Sequence, residues 1–259
     1  MDQEEYDKLY KGLRGPKDIE AFEKEGYDHR MLETIYTQKI NRSVRRKHPF
    51  VKRNTKNMLR EWKSGHTFCQ IAKSYKYPPV LTAMMIFQEN GTSRKAFWEY
   101  VRDPSLLDSE ETAKELQEAA QKDLVFSPEG VAKANERGKW GEGLLWEWLD
   151  GQNVDYKTEY DERSEDGSQG SKTPDCLLAE PMDFNGTKIY WIESKASFGD
   201  SVEFKYNCTK QLIPYTQLFG PGVVVYWNGH VDGLECPSDL LVEDIGILEK
   251  DLKPFNNVN

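Results

Sequence analysis

Three residues in this chain have the types and the order to do chemistry together. Asp175 closes the triplet Thr173-Pro174-Asp175, and Glu193 and Lys195 frame the triplet Glu193-Ser194-Lys195. Side chains alternate along a strand, so Glu193 and Lys195 share one face while Ile192 and Ser194 take the other. Two carboxylates from neighbouring strands can hold a hard divalent cation, Mg2+ or Mn2+. Such an ion polarises a phosphoryl oxygen and lowers the pKa of its bound water from about 15.7 toward 7. A lysine beside it can orient or deprotonate that water and offset phosphate charge. Without the cation the two carboxylates would repel a phosphodiester, so the charge balance itself calls for a metal. The chemistry predicted is metal-assisted phosphodiester hydrolysis.

A Glu-x-Lys triplet alone carries little, since Glu203-Phe204-Lys205 is a second one. The weight lies in the surroundings. Glu142, in the run Arg137 to Glu142 on the preceding helix, is expected to add a carboxylate to the metal shell, and Ser194 is counted with the ligands. Gln211 and Tyr215 follow at a spacing of four, which on a helix turns both toward one substrate. Pro214 lies between them. Proline is tolerated only in the first turn of a helix, so that helix is expected either to start late or to kink. The alternative for the whole set is an ordinary surface carboxylate pair with Lys195 as its salt-bridge partner.

The elements that must position these residues read as helix, strand, strand, strand, helix, strand. The helix is expected over Val131 to Leu149, closed by Gly151. Strands are expected over Val154 to Glu159, Cys176 to Ala179 and Thr187 to Ala196, then a helix over 205–218 and a buried strand over Gly222 to Trp227. Asn185-Gly186 is a strong two-residue hairpin signal between the second and third strands. It creates a register problem. With Phe184 opposite Thr187, Lys195 falls opposite Cys176 and Asp175 points away from Glu193. The site therefore predicts one extra residue, as a bulge near Pro181 or a wider loop with Gly186 in a bulge conformation. The polar stretch Glu159 to Ser171 is expected to be an exposed loop.

Upstream, residues 17–40 and 50–64 read as helical. Thr67 to Tyr75 and Val80 to Gln88 form two short helices around Tyr77-Pro78-Pro79, resembling a helix-turn-helix although the second is very apolar. Ser109 caps a helix with acids in its first turn. The fold class predicted is α/β: a restriction-endonuclease-like core over 126–259, preceded by an all-α, helix-turn-helix-like basic region over 1–125.

The chain has 259 residues and a net charge of −9, with 37% hydrophobic and 12% aromatic residues, so it is globular and long enough for one large domain or two ordinary ones. The charge is split. Residues 1–100 hold 20 Lys and Arg against 13 Asp and Glu, and residues 36–80 hold 12 basic residues and one acid, Glu61. A concentrated basic segment in an acidic protein can hold a polyanion locally. Arg45, Arg46, Lys47, Lys52 and Arg53 are the expected phosphate contacts; the alternative is a solvated helix face. Four scattered cysteines and four scattered histidines give no CxxC pair, no HExxH helix and no zinc knuckle. No apolar run approaches a membrane span. The acidic, polar start is not a secretory signal, and an intracellular protein with reduced thiols is expected.

Lys172-Thr173-Pro174-Asp175, the run Trp191 to Asp200, Phe219-Gly220-Pro221-Gly222 and Val225-Tyr226-Trp227 closely resemble the TPD-motif family, assigned to the PD-(D/E)xK nuclease superfamily. The resemblance is strong over about 135–230 and looser upstream. It implies Asp175 and Glu193 as metal ligands, Lys195 as the residue assisting water, Glu142 as the helix acid, and Gln211 with Tyr215 as the QxxxY element of RecB-like nucleases. It implies a cytoplasmic protein if archaeal. For the eukaryotic, codanin-interacting branch it implies a codanin-like partner and a nuclear or cytoplasmic location. A nuclease acting on DNA is the favoured reading. A non-catalytic nucleic-acid-binding or assembly module on the same fold and an RNA-processing nuclease remain open, as does the oligomeric state, a dimer included.

Overall fold

The computed structural model describes residues 1–158, 161 and 173–255. Apart from Asp161, the expected loop Glu159 to Ser171 and the motif's Lys172 lie outside the described residues. The chain forms two compact units, Met1–Tyr36 with Arg137–Asn259, and Thr37–Glu136. The units do not follow a single cut after residue 125. Tyr6 and Leu9 on α1 (Gln3–Gly12), Leu13 at its C-cap, Ile19 on α2 (Pro16–Lys24), and Leu32 and Ile35 at the start of α3 (His29–Arg53) form one core with Phe198 and Val231. An apolar helix face announces that something covers it, not what.

The unit Thr37–Glu136 is helical. It contains the rest of α3, then α4 (Thr55–Lys63), α5 (Phe68–Tyr75), α6 (Pro79–Glu89), α7 (Arg94–Arg102), α8 (Glu110–Lys122) and the start of α9 (Pro128–Gly151). Local rules set most of these ends. Thr67 and Gln70 form a capping box at the start of α5, and Ser109 accepts the Thr112 N–H at the start of α8, each cap worth ~1 kcal/mol. The helix pair around Tyr77-Pro78-Pro79 is present, but it is not a groove-reading motif. Every residue from Val80 to Phe87 on α6 is buried. A recognition helix must present side chains to a groove, whereas α6 is the central core helix of its unit. Its uniformly apolar sequence carried that outcome. Among the described residues no helix is long and apolar enough to cross a membrane.

The other unit is built on a mixed sheet with strands β1 (Tyr156–Thr158), β2 (Cys176–Phe184), β3 (Thr187–Lys195), β4 (Gly222–Tyr226), β5 (Leu240–Glu243) and β6 (Lys253–Pro254). The order is β1-β2-β3-β4-β5, with β6 paired to β2. Pairs among β1, β2 and β3 are antiparallel, and β3 to β4 and β4 to β5 are parallel. The crossover from β3 to β4 is helical: α10 (Ser201–Asn207), one π turn (Cys208–Leu212) and α11 (Ile213–Phe219). The sequence pattern missed β5 and β6, segments of four and two residues. Leu145, Trp148 and Leu149 of α9 cover one face of the sheet, against Ile192, Val223, Val225 and Trp227. Phe204, Leu212 and Tyr215 cover the other, against Trp191, Val224 and Tyr226. A strand enclosed this way is apolar on both sides, and all five residues of β4 are buried.

The β2–β3 hairpin resolves the register. Asn185 and Gly186 have φ of 54° and 81°, the two left-handed residues of a type I′ turn, and Phe184 lies opposite Thr187 as a two-residue loop requires. The irregularity is on β2. Five steps from Leu177 to Met182 are matched by two, from Trp191 to Ile189, so β2 carries three extra residues. The single extra residue expected is corrected to three, with Pro181 among those inside the irregularity. Ala179 and Glu180 there are exposed in succession, which a regular half-buried strand does not show. An odd number reverses the facing of everything upstream. Cys176 now lies opposite Ile192, and the same register sets Asp175 opposite Glu193.

Candidate active site

Asp175 is tied to Glu193 and Ser194 by two hydrogen bonds across the strand pair. The Ser194 N–H donates to Asp175 Oδ2 at 2.8 Å, and the Asp175 N–H donates to Glu193 Oε2 at 3.1 Å. Glu193 is only 2% exposed. Lys195 lies two residues along on the same face, and its ammonium donates to Glu193 Oε1 at 2.5 Å and to Gln211 Oε1 at 2.9 Å. The site is thus two carboxylates, one ammonium and one amide, gathered from β2, β3 and the π turn.

Gln211 reaches the site because of the turn that Pro214 imposes. The helix α11 starts late, at Ile213, with Pro214 in its first turn, and leaves Gln211 before it. Proline lacks the N–H that would bond one turn back, and the chain accommodates it in a π turn over Cys208–Leu212 before α11. Such turns are rare and recur at functional sites. Tyr215 does not face a substrate. It is 3% exposed, and its hydroxyl donates to the Thr173 carbonyl at 2.7 Å. A buried bond of this kind is worth ~1 kcal/mol and fixes the backbone two residues before Asp175. Gln211 and Tyr215 therefore face one strand end, as their spacing predicts, one holding Lys195 and the other the chain entering β2.

Ser194 joins the site through its main chain. Its hydroxyl lies on the opposite face and accepts the indole N–H of Trp227 at 2.7 Å. A Cβ on Gly141 would stand 2.4 Å from the Trp227 ring and 3.2 Å from the Ser194 hydroxyl, so α9 needs glycine there to come this close. That packing places α9 on the sheet face opposite the carboxylate pair. Glu142 is half-buried on α9, and among the described residues no three His, Cys, Asp or Glu side chains gather closely enough to hold an ion. Trp227 follows β4 directly and alternates with Tyr226, which faces the other way.

Burial pushes the Glu193 carboxyl well above its usual value. The Asp175 charge adds to that, and the Lys195 ammonium offsets only part of it. The sign is unfavourable to the ionised form. A carboxyl whose folded pKa is raised contributes stability below its unfolded pKa and loses it as pH rises through the raised value. In chelator, the melting temperature of the wild type relative to Glu193→Gln is expected to fall as pH rises from the ordinary carboxylate range toward neutrality. A constant difference between the two proteins over that range would contradict the burial argument.

The five basic residues of α3 lie in the other unit. Arg45, Arg46, Lys52 and Arg53 are exposed. Lys47 is half-buried and donates to the Lys76 carbonyl at 2.7 Å, capping the end of α5.

The family described as "Protein of unknown function TPD sequence-motif" is matched over residues 108–246. The chain belongs to the TPD family. The match contains Asp175, Glu193, Lys195, Gln211, Tyr215 and Trp227. Among curated proteins, CDAN1-interacting nuclease 1 of Homo sapiens is 28% identical over 88% of this chain and 84% of its own length. The Xenopus laevis protein of the same name is 31% identical over 70% of this chain and 60% of its own. The Gallus gallus protein is 42% identical over a shorter stretch, 34% of this chain and 30% of its own. No solved structure matches the chain.

Proposed function

We propose that this TPD protein is a divalent-metal-dependent nuclease of the PD-(D/E)xK type, with DNA as the favoured substrate. The observation that carries the reading is the pairing of Asp175 with Glu193 beside the Lys195 ammonium, a geometry that exists only because β2 holds an odd bulge. The relatives' printed name, which calls them nucleases, supports the reaction class.

The donor set fits Mg2+ or Mn2+. Magnesium is commonly held by one or two carboxylates plus substrate oxygens and water, without a full protein cage. Asp175 and Glu193 supply two carboxylates from adjacent strands, and the Ser194 main-chain N–H orients Asp175. When bound, the ion would neutralise phosphate charge and acidify water. The protein's own residues do the rest. Lys195, steered by Glu193 and Gln211, presents its ammonium where attacking water and a phosphate oxygen would meet, orienting that water and offsetting phosphate charge. Tyr215 keeps the Asp175 segment from shifting. Metal holding requires ionised Glu193, so affinity rises with pH over the range in which the metal-free protein loses stability.

The test is cleavage of duplex, single-stranded, flap, junction and RNA substrates in Mg2+ or Mn2+ and in chelator. Cleavage of at least one substrate, abolished by chelator, is expected. Equal cleavage with chelator would remove the metal, and no cleavage of any substrate would favour the non-catalytic module. The relatives' name also makes a CDAN1-like protein the partner to seek by co-precipitation.

A further inference from the structure

The helical unit carries a cleft of about 520 Å3 that the proposed reaction does not use, lined by Arg46, Phe50, Glu61, Tyr75 and Lys76 with Lys47 behind them. Its size falls within the ~300–1,000 Å3 typical of ligand sites. Arg46 and Phe50 are four apart on α3 and so share a face. The Phe50 ring is 52% exposed, with one side toward Tyr75 at a centroid distance of 6.3 Å. The Tyr75 hydroxyl donates to Glu61 at 3.0 Å, which occupies the one acid in the lining.

Lys76 is the second unusual residue. It ends α5 at φ 49°, a left-handed position where glycine is the ordinary occupant. Lysine there costs ~1–2 kcal/mol, and the Lys47 ammonium holds its carbonyl in place. The result is a strained backbone that sets a cation at the cleft. Arg46 and Lys76 make no ion pair among the described residues. Three cations around one exposed aromatic ring leave the cleft positive, and the Lys47 pKa is lowered by burial and then by the Arg46 and Lys76 charges.

We infer that this cleft seats an unpaired nucleotide, its base stacked on Phe50 and its phosphates on Arg46 and Lys76. A ring offers a π face to any base, but a base inside a duplex has no free face, so the cleft selects single strands or unpaired ends. This differs from groove reading by α6, which is buried, and rests on the proposed function only in taking nucleic acid as the ligand.

The experiment measures binding of fluorescent oligo-dT and oligo-rU to the full chain in chelator, over a salt series, beside a duplex of equal length. Either single strand is expected to bind tighter than duplex; the two arms separate DNA from RNA. Phe50→Ala should weaken single-strand binding about tenfold with little change in salt slope, and Phe50→Trp should retain it. Arg46→Gln and Lys76→Gln should each flatten the slope by about 0.7. Wild-type affinity in Phe50→Ala, absence of single-strand binding, or equal competition by oligo-glutamate would overturn the inference. Because the readout is metal-free, loss of binding in Phe50→Ala without cleavage by the wild type would fault only the nuclease reading. Cleavage with unaltered Phe50→Ala binding would fault only the cleft.

Discussion

Lys195→Ala is expected to lower the single-turnover cleavage rate by about 10³-fold while leaving nucleic-acid affinity in chelator unchanged. A preorganised donor aimed at the charge that develops in the transition state is worth ~10²–10³. The Lys195 ammonium is the one basic group hydrogen-bonded to the carboxylate pair among the described residues, at 2.5 Å from Glu193. The substitution should not unfold the protein. Removing one member of a buried ion pair usually strands a charge at high cost, but Glu193 is already biased toward its neutral form by burial and would take a proton instead. Lys195→Arg should not restore the rate, because the planar guanidinium fork cannot take the place of a compact ammonium between Glu193 and Gln211. Folding is checked by circular dichroism and binding by anisotropy. A rate within about threefold of wild type would remove Lys195 from the chemistry.

The second large effect concerns the bulge. Deleting Glu180 leaves two extra residues on β2 where the chain has three. An even number turns Asp175 to the α9 face, away from Glu193, and turns out Cys176 and Leu178, which are 0% and 7% exposed. Each apolar side chain displaced costs ~1.5–3 kcal/mol. A loss of several kcal/mol and of nearly all cleavage is expected. Deleting Ala179 and Glu180 together leaves one extra residue and restores the facing, at the loss of the Ala179 N–H to Asp155 carbonyl bond of 2.9 Å. The double deletion should therefore recover activity that the single deletion lacks. A single deletion more active than the double one would show that facing parity does not govern the site.

Most of the local structure was legible because it depends on neighbours in the chain. Asn185-Gly186 specified its turn through two residues able to take positive φ. Ser109 specified a helix start, and the Gly222 to Tyr226 run a buried strand. Glu193 and Lys195 had to share a face, since strand alternation allows nothing else.

What was not legible depends on distant partners. The need for an odd insertion between Asp175 and the turn followed from alternation, but its size of three residues is set by how β1 and β6 divide the edge of β2. The sheet face taken by α9 is set by its packing on Ile192, Val225 and Trp227, and no pattern within α9 states that choice. Tyr215 and Gln211 were recognised by spacing, yet only the packed crossover assigns one to backbone support and the other to Lys195. The three residues of the site, Asp175, Glu193 and Lys195, were determined by the sequence alone. That they meet was decided by the tertiary structure, because a strand's facing is counted through every residue between them and only the folded sheet says which of those residues leave the ladder.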